Sequence, residues 1–241
     1  MLRVHSYETF ATQDGPWIRI VFFLQWCNFR CLYCQNPDIA FINQGKDYSK
    51  EEIFQLIERE KVYFWNEWWV TFSGGNPLCQ AKELKEVLKF LKEKQIHTCI
   101  DTNGFSLTDD VKACIELADL VLPDLKQIDN QKHQELTWNT NTMPLQFIQY
   151  LDQQAKNYRI RYVVLPWYTD QKEDLEKVWL FLQNLKHFQR IELLPYHTLG
   201  KKKWEALWMS YPLEHVNPCT PEEVSLVQNI LKKYVNNVFI R

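Results

Sequence analysis

The chain has 241 residues, 46% of them hydrophobic and 24% charged, a size and mix suited to one large globular domain or two small ones and unlike a disordered or collagen-like chain. Twenty-eight basic residues against 30 acidic give a net charge of −2, which argues against nucleic acid or an anionic membrane as the main partner. Glycine is scarce at 6 residues and tryptophan abundant at 10, where ordinary usage of roughly 7% predicts about 17 glycines.

The first twenty residues include Arg3, His5, Glu8, Asp14 and Arg19, so they hold no apolar stretch long enough for a signal peptide. The apolar run 18–24, rich in Ile, Val and Phe, predicts a strand and falls far short of the ~18 residues that span a bilayer. A helix is expected over 50–63, with Glu51 and Glu52 in the first turn after Ser49, where negative charge suits the dipole. A short strand over 70–73 runs into Gly74 and Gly75. Leu84, Val87, Leu88 and Leu91 then fall at i, i+3, i+4 and i+7 of a helix.

A strand is expected over 97–101, a helix through Val111, Ile115 and Ala118, and a strand over 120–124. Strands over 160–165 and 190–194 flank a helix over 174–185, and Val224, Val227, Leu231 and Tyr234 make the last helix amphipathic. With no linker, low-complexity stretch or internal repeat, the chain reads as a single domain. Alternating helices and six strands indicate a parallel α/β architecture, either partly closed into a barrel or opened into a doubly wound sheet. Both place functional loops at the carboxyl ends of strands, and the chemically suggestive segments lie at such ends.

The strongest of these is Cys27-Asn28-Phe29-Arg30-Cys31-Leu32-Tyr33-Cys34. Three thiolates within eight residues can fold around one metal centre, since soft sulfur selects zinc or iron–sulfur clusters. A structural zinc site takes four protein ligands, and no further Cys or His follows until Cys79 and His97. Three cysteines on a four-iron cluster would leave one iron open to another ligand. Cys79, Cys99, Cys114 and Cys219 each stand alone, as ordinary thiols do. Seven cysteines without a secretory signal fit a reducing, cytosolic compartment.

This C-x3-C-x2-C run, with an aromatic before the last cysteine, resembles the radical S-adenosylmethionine (SAM) superfamily. The motifs His5-Ser6-Tyr7-Glu8, Asp14-Gly15-Pro16, Cys31-Leu32-Tyr33-Cys34-Gln35-Asn36, Thr71-Phe72-Ser73-Gly74-Gly75, His97-Thr98-Cys99-Ile100-Asp101-Thr102-Asn103-Gly104-Phe105, Asp124-Leu125-Lys126-Gln127 and Leu193-Leu194-Pro195-Tyr196-His197 extend the resemblance along the whole chain. Together they are similar to the pyruvate formate-lyase activating family. The stretch between Cys34 and Ser73 holds no further cysteine, so an insert with extra clusters is not expected.

The resemblance implies an α/β fold of the partial (β/α)6 TIM-type barrel kind, residues 1–241 forming one radical SAM core domain with short terminal extensions. It implies an oxidoreductase that cleaves SAM at a [4Fe–4S] cluster and places a glycyl radical on formate C-acetyltransferase, fed by a flavodoxin-like or ferredoxin-like electron donor. Cys27, Cys31 and Cys34 would ligate the cluster, and Tyr33, Cys34 and Gln35 would lie along SAM. Gly75, Asn76, Asp124, Leu125, Lys126 and His197 would make the other SAM contacts, Lys126 toward the carboxylate and His197 near the adenosyl part. Asp101, Thr102 and Asp124 would form a monovalent-cation site of hard oxygens, and Asp14 would face the partner's glycine loop. Other readings are an activase of another glycyl radical enzyme, such as anaerobic ribonucleotide reductase, and a non-catalytic iron–sulfur or zinc-binding module.

Several departures accompany the resemblance. Asn76 stands where the family has glutamate, which removes a charge-assisted contact worth roughly 1 kcal/mol or more. Pro123 and Cys219 also depart from its pattern. Finally, Trp17, Trp26, Trp68, Trp69, Trp138, Trp167 and Trp208 occupy positions where the family has glycine, the pattern expected if a UGA codon is read as glycine in the source.

Overall fold

The structure, a computed structural model, describes residues 1–41, 44–60 and 69–241. The chain divides into two compact units, one formed by 1–28 and 39–122 and the other by 29–38 and 123–241.

In the first unit, β1 (Leu2–Ala11) and β2 (Arg19–Leu24) pair antiparallel across a turn, and β3 (Lys46–Tyr48) adds antiparallel to the outer edge of β1. Parallel pairing starts at β2, which receives β4 (Trp69–Gly74); β5 (His97–Thr102) pairs with β4, and β6 (Leu120–Pro123) follows β5 in the sheet. Nearly every β2 side chain is buried, as expected of a parallel strand covered on both faces. β1 instead buries Leu2, Val4 and Ala11 and is half-buried or exposed at its other positions, as an antiparallel strand with a solvated side can be.

Between these strands run α1 (Pro37–Phe41), α2 (Lys50–Glu60), a short 3₁₀ turn (Pro77–Gln80), α3 (Ala81–Glu93) and α4 (Asp109–Leu117). A capping box starts α2: the Ser49 hydroxyl accepts from the Glu52 N–H, and the Ser49 N–H donates to the Glu52 carboxylate. Leu84, Val87, Leu88 and Leu91 are all buried on one face of α3, a burial worth roughly 1.5–3 kcal/mol per side chain. The expected end of the α2 helix, 61–63, lies outside the described residues.

The second unit holds α5 (Asn130–Thr137), α6 (Thr142–Gln153), β7 (Tyr158–Val164), α7 (Lys172–Leu182), β8 (Phe188–Pro195), α8 (Lys201–Ala206), α9 (Pro221–Lys232) and β9 (Val238–Ile240). β7, β8 and β9 are parallel neighbours. A complete capping box with Thr220, Glu223 and Pro221 starts α9, which buries Val224, Val227 and Leu231.

All six strands expected from the sequence are present. β1, β3 and β9, the helices α1, α5, α6 and α8, and the 3₁₀ turn were not anticipated. Of the seven tryptophans at glycine positions, Trp17, Trp26, Trp138, Trp167 and Trp208 have positive φ of 57° to 75°. Trp69 opens β4 without positive φ, and Trp68 lies outside the described residues. Pro123 ends β6 without a ladder donor of its own, and pairing continues past it at the Asp124–Arg161 bridge.

Candidate active site: the cysteine loop and the strand ends

In the first unit, the site begins where β2 ends. The N–H groups of Gly75 and Asn76 donate to the carbonyls of Leu24 and Trp26, at 3.0 and 2.8 Å. The approach requires glycine: a Cβ on residue 75 would lie 2.0 Å from the Trp26 carbonyl oxygen. Gly74, at φ 103°, is a second such position, with β2 backbone 2.6 Å from its missing Cβ.

Asn76 is buried, and its amide is engaged at both ends. Its Nδ2 donates to Asn28 Oδ1 at 2.9 Å, and its Oδ1 accepts from Thr102 Oγ1 at 2.7 Å. That oxygen keeps a second lone pair, so the amide can still take one hydrogen bond where the family's glutamate would offer a charge. Asn103 Nδ2 donates to Asn28 Oδ1 at 3.2 Å and lies 3.8 Å from the sulfur of Cys27, within reach of an N–H···S bond. Neighbouring Asp101 accepts from Ser73 Oγ at 2.7 Å. The Asp14 carbonyl accepts from Thr71 Oγ1 at 2.7 Å, which ties the turn after β1 to β4.

In the second unit, the loop carrying Cys31 and Cys34 is held by backbone. The N–H groups of Arg30 and Leu32 donate to Thr137 and Leu136 at the end of α5, and the Cys34 N–H donates to the Cys31 carbonyl. Trp204 on α8 donates its indole N–H to the Cys34 carbonyl at 2.9 Å. Gln35 spans two segments: its Nε2 donates to the carbonyls of Tyr33 (3.1 Å) and His197 (3.0 Å), while its Oε1 accepts from Gly200 N–H at 2.6 Å. Gly200 lies so close that a Cβ would sit 2.7 Å from the Gln35 Cα.

Lys126 pairs with Asp124 at 2.9 Å, and its ammonium lies 5.6 Å from the centre of the Tyr33 ring. Burial works against the Lys126 charge, but Asp124, Tyr33 and Cys31 together outweigh it and hold the pKa well above the ordinary lysine value. Burial dominates at Tyr33 and keeps its phenol protonated. Leu125 is buried, its N–H donating to the Arg161 carbonyl at 2.8 Å, so what it offers outward is backbone. His197 is exposed, and partial desolvation lowers its pKa.

Cys27, Cys31 and Cys34 are half-buried and form no disulfide; thiolates are the donors that iron–sulfur clusters take. Among the described residues, no group of three or more His, Cys, Asp or Glu side chains is closed tightly enough to hold a single metal ion. Cys79, Cys99, Cys114 and Cys219 form no disulfide. Burial raises the Cys114 and Cys219 thiols to about 12, leaving both inert at neutral pH.

Three contributors went unassigned at the level of sequence. Asn103 stands inside a motif already singled out, so its position was visible but its bond to Cys27 was not. Trp204 and His133 gave no signal. His133 is buried edge-on to Phe29, with Nδ1 2.6 Å from the Asn139 carbonyl and its pKa lowered by burial.

The sequence profile described as Radical SAM superfamily matches residues 21–178. The chain belongs to the radical SAM superfamily. It is 38% identical over 240 residues to the pyruvate formate-lyase 1-activating enzyme of Escherichia coli K12, covering 98% of this chain and 97% of that protein. It is 41% identical over 229 residues to the pyruvate formate-lyase-activating enzyme of Staphylococcus epidermidis, covering 92% and 91%. It therefore belongs to the pyruvate formate-lyase-activating family within the superfamily. The crystal structure of a radical SAM methyltransferase from Sphaerobacter thermophilus matches with a TM-score of 0.68 at 12% identity, covering 92% of this chain and 66% of that one. That match carries the fold: α/β with a parallel sheet, the unclosed partial barrel of radical SAM proteins. The cofactors of the superfamily are a [4Fe–4S] cluster and SAM.

Proposed function

We propose that this chain is the activating oxidoreductase of formate C-acetyltransferase (pyruvate formate-lyase), and that all 241 residues serve as one radical SAM core domain. The observation that carries this reading is the 38% identity to the Escherichia coli activating enzyme, which runs the length of both chains. When bound, the cluster and SAM supply an electron and a 5′-deoxyadenosyl radical that takes a hydrogen atom from the α carbon of one glycine in the partner enzyme.

The chain's own residues prepare that chemistry. Cys27, Cys31 and Cys34 supply the three thiolates, leaving one iron position for SAM. The Gly75 and Asn76 turn presents backbone where no Cβ fits, the close approach suited to the methionyl end. Lys126, kept charged by Asp124, meets the SAM carboxylate, while Tyr33, Gln35, the Leu125 backbone and His197 line the remainder. Asp101, Thr102 and Asp124 offer hard oxygens to a monovalent cation, and Asp14 faces the partner's glycine loop. Holding the sulfonium close to the electron source would speed the reaction by positioning.

The electron donor in this reading is flavodoxin-like or ferredoxin-like, and the setting is an anaerobic cytoplasm. No helix among the described residues is long and apolar enough to cross a membrane. The test is anaerobic reconstitution with iron and sulfide, reduction, and addition of SAM with either formate C-acetyltransferase or anaerobic ribonucleotide reductase. The expected result is 5′-deoxyadenosine and a glycyl radical signal by electron paramagnetic resonance with the first partner only. A zinc-only preparation that leaves SAM intact would overturn the proposal.

A further inference from the structure

We infer that residues 17, 26, 138, 167 and 208 are glycine in the protein as its native host makes it, their codon being UGA read there as glycine. Eight of the ten tryptophans fall among the described residues, and five of those eight have positive φ. Only a few per cent of non-glycine residues adopt such a backbone, and for a bulky side chain it is an outlier. Among the described residues, the other non-glycine residues with positive φ are Gln95 and Ala155.

The local geometry at each site is one that glycine ordinarily fills. Trp208 follows α8 with its N–H on the Glu205 carbonyl and the Met209 N–H on the Trp204 carbonyl; this crossed pair is the Schellman motif, whose left-handed residue is usually glycine. Trp138 ends α5 as a left-handed cap, its N–H donating to the Gln134 carbonyl. Trp167 follows Pro166, and the Tyr168 N–H closes on the Leu165 carbonyl at 3.1 Å. Proline followed by a positive-φ residue makes a type II turn, which wants glycine second. Trp17 follows Pro16 with the same sign of φ. Trp26 gives its N–H to Ile39 and receives that of Asn76, while its carbonyl lies in the space a Cβ on Gly75 would need.

Packing recovers little of the strain: the Trp17 ring meets that of Trp69 at 4.3 Å, yet is still 65% exposed. The five indoles are 43% to 98% exposed, although a tryptophan in a folded protein is normally well buried. Trp179 and Trp204 behave in the ordinary way: both lie in helices, the first with its ring 4.5 Å from that of Tyr234 and the second 5% exposed. Two populations of tryptophan are thus separated by backbone conformation, and UGA differs from the tryptophan codon UGG in its last base only. Glycine at 26 would remove an exposed indole immediately before Cys27.

The test reads the gene at every tryptophan position and weighs tryptic peptides of the protein purified from its host. The expected result is UGA with glycine-mass peptides at 17, 26, 138, 167 and 208, and UGG with tryptophan-mass peptides at 179 and 204. UGG at the five sites overturns the inference, as does tryptophan mass in the native peptides whatever the codon. A second measurement needs no host. The chain as written is compared with the variant carrying W17G, W26G, W138G, W167G and W208G by urea unfolding, and the folding equilibrium constant should rise about fivefold or more over the set. A fall would overturn the inference.

Discussion

Replacing Trp204 by phenylalanine perturbs the cysteine loop without touching a sulfur. Trp204 packs among Tyr33, Leu136, Leu165, Tyr196, Tyr211, Leu213 and Val216, edge-on to Tyr211 at 6.0 Å, and holds the Cys34 carbonyl through its indole N–H. Phenylalanine keeps most of the apolar contact, loses the donor and leaves a void where the second ring lay. The lost hydrogen bond contributes about 1 kcal/mol. The void adds a further fraction of the ~3–5 kcal/mol that complete removal of a buried tryptophan costs, so the sum is about 2–3 kcal/mol. Urea unfolding of the reduced apoprotein, monitored by circular dichroism, should show a lower midpoint with an unchanged slope. Reconstituted W204F should also hold less iron per chain, because the carbonyl next to the last candidate ligand is released. A destabilisation below about 0.5 kcal/mol with full iron content would refute the reasoning.

Acid should destabilise the chain through His133. Burial lowers its folded pKa, so the unfolded state binds more protons below its own pKa. The neutral form's contribution is complete above about pH 6.5 and is lost as pH falls below it, by up to about 1.4 kcal/mol per pH unit; H133Q should flatten this part of a stability–pH profile measured by urea unfolding. Replacing Asn103 by alanine removes its donor from Cys27 and Asn28. N103A should lose about 1–2 kcal/mol of stability and shift the reconstituted cluster to a more negative potential, read by redox titration, since a donor at sulfur favours the reduced, more negative cluster. G75A places a methyl against the Trp26 carbonyl and must move backbone, so it should weaken SAM binding by calorimetry and cost about 1–3 kcal/mol; SAM affinity equal to the parent's would count against the assignment of that turn.

The α/β class and six of the strands were legible because each buried segment writes its own period: continuous apolar runs for β2 and β6, and the Leu84, Val87, Leu88, Leu91 stripe for α3. The strand β1 escaped because only Leu2, Val4 and Ala11 are buried along it, with charged and polar residues between them, so no apolar period is written. The helix α5 escaped because it buries only His133, Leu136 and Thr137, too few apolar residues to set a period. The three cysteines of the site were visible because they lie within eight residues, a purely local signal.

Residues far apart in sequence needed the fold. Gln35 meets Gly200, Trp204 meets Cys34, and Asn76 meets both Asn28 and Thr102, and no local pattern marks such pairs, since where the chain returns to itself depends on every element in between. Local pattern was enough for six of the strands in their order, for the thiolate loop and for the glycine deficit. The sign of φ at Trp17, Trp26, Trp138, Trp167 and Trp208 was decided by the tertiary structure alone, because each helix end or turn must leave in the direction its neighbours dictate, and only a residue without Cβ follows that path free of strain.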